Sequence, residues 1–372
     1  MNSALRVFFS TGEPSGELAA LALGAAMRAH REGIAFSGIG ASGMRAAGWD
    51  LWADHTGWAS LGPLAAIPRI PKLLREMWKC ARMLSSEKPD LIVLIDFGAF
   101  NVRLAAQLRE KHRYRGAILY LFPPGAWLDH ARPARFVAAR ANVLTGFAHQ
   151  ASFYRSLDLP IAFFGHPLAP RYQSRTSRPA PPVNSGSVAL LPGSRREELR
   201  RLLPRLRSAL LLLRRTRPML RARIGAADDA AKTFCSALFK NIPNVEICTG
   251  LPAAIENVDA AWVASGTAVL ESTLANVPTL SLYAISPLLA RHARRLMRSR
   301  FITIPNLVLD RELVPELLQE NATPERLAST MERLLCDPEP WYREAAKLRD
   351  VLGPPNALDE CARYALTLAE GA

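Results

Sequence analysis

The sequence feature that most constrains the fold is a buried strand that ends in a glycine turn and leads at once into a helix. Apolar residues 188–191 predict the strand, Pro192-Gly193-Ser194-Arg195 forms the turn, and a helical pattern begins near Arg196. The first backbone amides of a helix have no partner within it, and the helix dipole favours negative charge there. Gly193 allows a close backbone approach, and the guanidinium of Arg195 suits a phosphate. The pattern predicts a phosphate-binding turn, with an ordinary Pro-Gly turn beside a solvated arginine as the alternative.

A second turn of the same kind follows in the same half of the chain. Ser265-Gly266-Thr267-Ala268 comes after apolar residues 260–263 and precedes a helical pattern. Its amides and hydroxyls suit a diphosphate. Glu271 lies one turn into that helix, where a carboxylate can accept both hydroxyls of a ribose, although an acid near a helix start also complements the dipole. Two such turns together predict a nucleoside diphosphate more strongly than either turn does alone.

A third glycine turn follows the strand predicted at residues 5–9. Its sequence, Thr11-Gly12-Glu13-Pro14-Ser15-Gly16-Glu17, lacks the GxGxxG spacing of a dinucleotide site. The carboxylates of Glu13 and Glu17 would also repel a pyrophosphate. We therefore expect Glu13, Ser15 and Gly16 to face a sugar or an acceptor, not NAD.

Strand and helix patterns alternate along both halves, which predicts parallel α/β layers. We expect a first domain at 1–170, a Pro-, Ser- and Arg-rich linker at 171–187, a second domain at 188–340 and C-terminal helices at 341–372 that pack back across a cleft. The predicted strands are 5–9, 35–39, 91–95, 117–121, 142–146, 161–164, 188–191, 221–224, 245–247, 260–263 and 279–282. Because open α/β sheets bind ligands at the carboxyl ends of their strands, the nucleotide should lie on the second half and the other substrate on the first.

Composition excludes several classes of protein. Of the 372 residues, 49% are hydrophobic, which supports real cores, and no apolar run approaches the ~20 residues of a membrane span. The five cysteines are scattered, which predicts neither a disulfide framework nor a zinc site and favours a cytoplasmic setting. The net charge of +14 is suited to phosphorylated substrates or anionic lipid. The alternative is that it belongs to a basic face that is only solvated. We find no nucleic-acid signature, and we expect no cofactor and no metal.

Several motifs, in this order, resemble those of the bacterial lipid-A-disaccharide synthases, inverting glycosyltransferases of the two-domain GT-B type. The resemblance covers nearly the whole chain. It is carried by Gly12-Glu13-Pro14-Ser15-Gly16-Glu17, Phe36-Ser37-Gly38-Ile39-Gly40, Lys88-Pro89-Asp90 leading to Ile95-Asp96, Phe164-Gly165-His166-Pro167-Leu168, Leu190-Leu191-Pro192-Gly193-Ser194-Arg195, Ser265-Gly266-Thr267-Ala268 with Glu271, Ile304-Pro305-Asn306-Leu307 and residues 311–319.

The resemblance implies a reaction and its substrates. UDP-2,3-diacylglucosamine would donate its sugar to 2,3-diacylglucosamine 1-phosphate, forming a β-1,6 disaccharide with inversion and releasing UDP without a metal. Asp96 would act as general base, with a capping carboxylate as the alternative, and Arg195 would stabilise the leaving diphosphate. Asn306 and Glu312 match positions near the nucleotide. His166 matches a position that either touches a substrate phosphate or is a hydrogen-bonded hinge histidine.

Acylated substrates imply access to the cytoplasmic face of the inner membrane. Residues 61–79 mix apolar residues, Trp78 and basic residues as interfacial segments do, although an amphipathic core helix has the same pattern. The arginines between 291 and 300 suit anionic headgroups. We expect a peripheral membrane protein, and the sequence leaves a homodimer open.

Three departures from the family pattern concern the acceptor and the phosphates. Ala99 replaces the second acid after Asp96, Trp127 is a surviving tryptophan displaced by one residue, and Ala284 stands where an arginine often follows the tyrosine. Two other functions therefore stay open. One is a related GT-B enzyme, either a transferase using UDP-N-acetylglucosamine with another acceptor or an epimerase, and the other is a non-catalytic protein that binds a UDP-sugar or lipid.

Overall fold

The computed structural model of the chain describes residues 4–56, 58, 70–124, 130–172, 176–285 and 300–371. The chain divides into two compact units. The first unit comprises Met1–Arg171 together with Leu352–Ala372, and the second comprises Tyr172–Val351. Each is built on one parallel β-sheet with helices packed against it, so the predicted α/β class is confirmed.

The first unit holds a seven-stranded sheet within the described residues. Its strands are β1 (Leu5–Ser10), β2 (Ile34–Gly40), β3 (Asp50–Asp54), β4 (Leu91–Ile95), β5 (Ala117–Leu121), β6 (Asn142–Thr145) and β7 (Ala162–Phe163). Its helices, numbered along the chain, are α1 (Pro14–His30), α2 (Ser42–Ala46), α3 (Ile70–Glu87), α4 (Gly98–Ala106, continued by a π-helical turn at Gln107–Lys111), α5 (Ala131–Ala138), α6 (Ala148–Arg155) and the final helix α14 (Ala357–Glu370).

The strand order is β3-β2-β1-β4-β5-β6-β7, and the neighbouring strands are parallel. Helices cover both faces, which is why β4 is buried along its whole length and reads in the sequence as an unbroken apolar run. The order reverses between β1 and β4, so the chain leaves these two adjacent strands toward opposite sides. Such a reversal opens a crevice at the carboxyl ends of the two strands.

The last helix belongs to the first unit. Small residues of α14, Cys361, Ala362 and Ala365, lie in the same buried cluster as Ala19 and Leu23 of α1. The sequence pattern predicts one set of C-terminal helices at 341–372; the structure divides this set, with the helix before α14 in the second unit.

The second unit holds a six-stranded sheet within the described residues. Its strands are β8 (Ser187–Leu191), β9 (Arg221–Ala226), β10 (Val245–Thr249), β11 (Ala260–Ala264), β12 (Thr279–Tyr283) and β13 (Glu316–Leu318). Its helices are α7 (Arg196–Leu213), α8 (Asp229–Phe239), α9 (Gly250–Ala254), α10 (Thr267–Leu274), α11 (Ile304–Leu309), α12 (Pro324–Cys336) and α13 (Glu339–Val351), with a 3₁₀ turn at Gln319–Asn321.

This sheet has the order β10-β9-β8-β11-β12-β13, again with parallel neighbours, and the order reverses between β8 and β11. Trp262 of β11 is fully buried, and its indole N–H donates to the carbonyl of Leu327 in α12 at 3.2 Å. That bond satisfies the polar end of a large core side chain.

The described part of the predicted linker is fastened to the second unit. Arg217 is 1% exposed; its guanidinium pairs with Glu332 at 2.9 Å and donates to the carbonyls of Pro182 and Ser185. The guanidinium of Arg178 lies 3.2 Å from Asp259. A buried arginine that meets this many acceptors holds the segment in one conformation.

Every strand predicted from the sequence is present, with small differences at the ends. Strands β3 and β13 were not predicted. Among the helices of the described ranges, none combines the length and the apolar character that a bilayer crossing requires.

Candidate active site

Both predicted phosphate turns of the second unit lie at one edge of its sheet. The first turn leaves the carboxyl end of β8 and the second leaves the carboxyl end of β11, and these strands are paired neighbours, with Val263 opposite Leu191. The strand order reverses between them. The tertiary structure therefore brings the two turns together at the position where open α/β sheets bind ligands.

The turn after β8 is held by the carboxylate of Glu198, which is not among the predicted site residues. Glu198 is buried in the first turn of α7; one of its oxygens accepts the backbone N–H of Arg195 at 3.3 Å, and the other lies 3.3 Å from the Arg195 guanidinium. Gly193 has φ +97°, and a Cβ there would lie 2.2 Å from Glu198. The protein's own carboxylate thus orients Arg195, while Ser194 remains exposed. An acid three residues after the helix N-cap is the sequence signal for such a contact.

The turn after β11 is more open. Ser265 and Ala268 are half-buried, whereas Gly266 and Thr267 are exposed at the start of α10. A Cβ on Gly266 would meet nothing within 4 Å, so the space beside the backbone is clear. This turn can present its amides and hydroxyls to an anion.

Glu271 lies in α10 and is only 9% exposed. One of its carboxylate oxygens accepts a hydrogen bond from the hydroxyl of Tyr172 at 3.0 Å. No sequence pattern marks Tyr172 as a site residue, because it is far from Glu271 in sequence and belongs to no motif. Its hydroxyl fixes the direction of the carboxylate predicted to bind a ribose.

Asn306 and Glu312 lie in the segment around α11, in different environments. The side-chain amide of Asn306 is fully buried: it donates to the carbonyl of Val314 and to Glu316, and its oxygen accepts the N–H groups of Leu313 and Val314, all at 2.7–2.9 Å. These four bonds use the whole capacity of an amide, so Asn306 supports the segment from inside. Glu312 is exposed and open to a ligand.

The third glycine turn and Asp96 meet at the reversal point of the first sheet. The turn follows β1, Asp96 follows β4, and these two strands are paired. Glu13 and Ser15 are half-buried, and Gly16 packs against Thr11, 3.4 Å from where a Cβ would lie. Glu17, by contrast, is buried and accepts the N–H groups of Ala41 and Met44 at the start of α2.

Asp96 is exposed, yet the protein around it raises the pKa of its carboxyl to about 6. Desolvation is the main cause, and the negative charge of Glu13 is the second. A carboxylate can present one edge to solvent while protein atoms fill the rest of its surroundings. A carboxyl whose pKa lies near neutrality is suited to accept a proton as a general base.

His166 is part of the interior of the first unit. It is 3% exposed, its backbone N–H donates to the carbonyl of Leu352 at 2.6 Å, and its Nδ1 accepts from Leu168. Its ring stacks on Phe122, with 5.2 Å between the ring centres. Burial lowers the pKa of the imidazole to about 3, so at neutral pH it carries no charge with which to bind a phosphate. These contacts agree with the second alternative for His166, a hydrogen-bonded hinge histidine, better than with a phosphate ligand.

The structure thus gathers the predicted residues into one group in each unit. In the first unit these are Glu13, Ser15, Gly16 and Asp96; in the second they are Gly193, Ser194, Arg195, Ser265, Gly266, Thr267, Ala268 and Glu271. Residues 61–69, Trp127 and the arginines from 291 to 298 lie outside the described residues. Ala284, where the family often has an arginine, is buried in the core of the second unit.

Comparison with known proteins decides the family. A family model described as Lipid-A-disaccharide synthetase matches residues 7–357. The chain belongs to this family. It is 33% identical over 383 residues to the lipid-A-disaccharide synthase of Syntrophus aciditrophicus, covering 99% of this chain and 98% of the relative. It is 34% identical over 348 residues to that of Azotobacter vinelandii, covering 90% of each. The predicted family is confirmed, and the protein is a glycosyltransferase.

Solved structures support the fold at low sequence identity. UDP-GlcNAc 2-epimerase from Neisseria meningitidis bound to UDP-GlcNAc matches with a TM-score of 0.63 and 12% identity, covering 97% of this chain and 99% of that chain. Spinosyn rhamnosyltransferase complexed with thymidine diphosphate matches with a TM-score of 0.59 and 15% identity, covering 95% and 98%. The predicted GT-B fold is confirmed.

Proposed function

We propose that this protein transfers 2,3-diacylglucosamine from its UDP derivative to 2,3-diacylglucosamine 1-phosphate, forming the β-1,6 disaccharide and UDP. Membership of the family supports the reaction. The observation that carries its assignment to particular residues is the pairing of β8 with β11, which sets two anion-binding turns side by side.

We assign the UDP group to the second unit. The backbone amides of the exposed residues Gly266 and Thr267 and the guanidinium of Arg195 favour the diphosphate, whose negative charge grows as the bond to the sugar breaks. Glu271, oriented by Tyr172, is suited to accept the ribose hydroxyls. Glu312 is exposed and provides a further polar contact on this side.

We assign the activation of the acceptor to Asp96. Its carboxylate accepts the proton of the attacking hydroxyl as that oxygen bonds to the anomeric carbon of the donor, while the bond from the same carbon to UDP breaks. Attack opposite the leaving group inverts the configuration. A base with a pKa near 6 is largely ionised at neutral pH and still basic enough to help the transfer.

We assign the membrane contact to α3. This helix buries Met77, Cys80 and Leu84, while Ile70 and Trp78 are 45% and 54% exposed. Four cations on the same helix, Lys72, Arg75, Lys79 and Arg82, are exposed as well. An amphipathic helix with exposed apolar and basic groups is suited to an anionic bilayer surface. The homodimer stays a prediction.

The test is to incubate the purified protein with both acylated precursors and to detect the disaccharide by mass spectrometry. Asp96→Asn should reduce transfer by on the order of 10²–10⁴ and leave the affinity for UDP unchanged. Arg195→Ala should weaken both UDP binding and transfer. If the two variants lose UDP affinity equally, the assigned roles are wrong, and if the wild-type protein forms no disaccharide, the reaction itself is wrong.

A further inference from the structure

The turn that carries Asp96 has an unusual backbone. Asp96 and Phe97 have φ values of +45° and +46°, so two consecutive residues with side chains occupy the left-handed region. L-residues other than glycine avoid this region because the Cβ crowds the carbonyl oxygen. A turn of this kind persists only where its surroundings hold it.

The strongest restraint on the turn is Asn101, a fully buried residue of α4. Its side-chain NH2 donates to the carbonyls of Asp96 at 3.0 Å, Ile95 at 3.1 Å and Ser10 at 3.3 Å. Its oxygen accepts the hydroxyl of Ser10 at 2.6 Å. One amide thus joins the carboxyl ends of β1 and β4 at the reversal point of the sheet.

Two further contacts restrain the same turn. The hydroxyl of the buried Tyr120 in β5 donates to the carbonyl of Asp96 at 2.8 Å. The ring of Phe97 lies over Gly12, where a Cβ would come within 2.2 Å of the ring, and stacks on Phe100. The backbone of Asp96 is therefore fixed from two sides, while the residue itself remains exposed.

We propose that Asn101 is a positioning residue for the transfer: by holding the carbonyl of Asp96 it keeps the left-handed turn and sets the direction of the Asp96 carboxylate. This proposal rests on the proposed function, because it requires Asp96 to be the base. Without the amide, the turn relaxes toward an ordinary conformation, and a displacement of about 1 Å at the base costs on the order of 10²-fold in rate.

The test compares Asn101→Ala with Ser10→Ala. Asn101→Ala removes the bond to the Asp96 carbonyl, whereas Ser10→Ala removes the hydroxyl bond to the same amide and leaves that carbonyl bond intact. For Asn101→Ala we expect kcat to fall by on the order of 10- to 100-fold. The KM for the donor and the Kd for UDP should stay within about threefold of the wild-type values. Ser10→Ala should lower Tm without a comparable loss of kcat.

The proposal is overturned if Asn101→Ala retains kcat within about threefold of the wild-type value, or if both variants lose kcat to the same extent. If Asn101→Ala does not fold, Asn101→Asp decides, since it keeps the size of the side chain and an oxygen that accepts the Ser10 hydroxyl but removes the NH2 that donates to the Asp96 carbonyl. A fall in kcat with unchanged UDP affinity then supports the proposal, and full activity overturns it. Full activity of Asp96→Asn would instead show that the assignment of the base is wrong.

Discussion

At the scale of single residues, the environment of the Asp96 carboxyl sets the pH dependence that we expect for the reaction. With its pKa raised to about 6, kcat/KM should rise with pH through an acidic limb near that value as the carboxyl loses its proton. Glu13→Gln removes the neighbouring negative charge, so the limb should move to lower pH. The measurement is the pH dependence of kcat/KM for the wild-type protein and for Glu13→Gln, with saturating acceptor.

Glu13 is itself a predicted acceptor contact, so the rate of Glu13→Gln is not the diagnostic quantity. The diagnostic quantity is the position of the limb. A limb that stays in place, or moves to higher pH, would show that the charge of Glu13 does not act on Asp96.

Glu198 is a second residue whose negative charge should affect the site, here through the binding of UDP. It lies beside the predicted diphosphate turn and contacts Arg195 through both oxygens. Glu198→Gln keeps the size of the side chain and an acceptor for the Arg195 N–H but removes a negative charge, so UDP should bind more tightly, by a few-fold. Glu198→Ala should instead lower the free energy of unfolding by about 1 kcal/mol, as the loss of a helix cap does. Calorimetric titration with UDP and urea denaturation measure the two effects; weaker UDP binding by Glu198→Gln would contradict this account.

At the scale of elements, the connection from β8 to α7 depends on the backbone conformation of one residue, Gly193. Gly193 has φ +97° and no room for a Cβ, whereas Gly250 in the same unit has φ +79° and a nearest atom 3.7 Å away. Gly250→Ala should therefore cost only backbone strain, about 1–2 kcal/mol of unfolding free energy. Gly193→Ala should cost more, because the new methyl group also displaces Glu198, and it should weaken UDP binding. Urea denaturation compares the two; equal costs would mean that Glu198 moves aside freely.

The elements also show which strands a sequence can predict. Strands such as β4 and β11 are buried on both faces and appear as apolar runs. β3 has an acid at each end and intermediate burial between them, and β13 has three residues, so neither gives a strong apolar or alternating signal. Both lie at a sheet edge, where a strand is stabilised by one neighbour and needs little apolar surface.

At the scale of the whole molecule, the return of the chain to its first unit has a consequence for folding. α14 shares a core with α1, and each large apolar side chain of that core that is exposed when α14 is absent costs about 1.5–3 kcal/mol. Residues 1–171 alone should therefore melt without a cooperative transition, and joining them to 352–371 through a flexible linker should restore one. Residues 172–351 should melt cooperatively by themselves. Circular dichroism of the three proteins tests this, and cooperative melting of 1–171 would contradict it.

The sequence by itself determined the alternation of strands and helices, the family and the turns that carry the candidate residues. These are local properties: apolar runs, glycines and the residues that begin helices lie next to one another in the chain. Only the tertiary structure decided which turns are neighbours, because the order of strands in a sheet depends on pairing between distant segments. It also supplied the partners of the candidate residues, Asn101 and Tyr120 for Asp96 and Tyr172 for Glu271. Which groups meet depends on the folded backbone, even where, as for Asn101 and Asp96, the two residues are only five positions apart. The pKa of Asp96 depends on the same packing, because desolvation and the charge of Glu13 act through space.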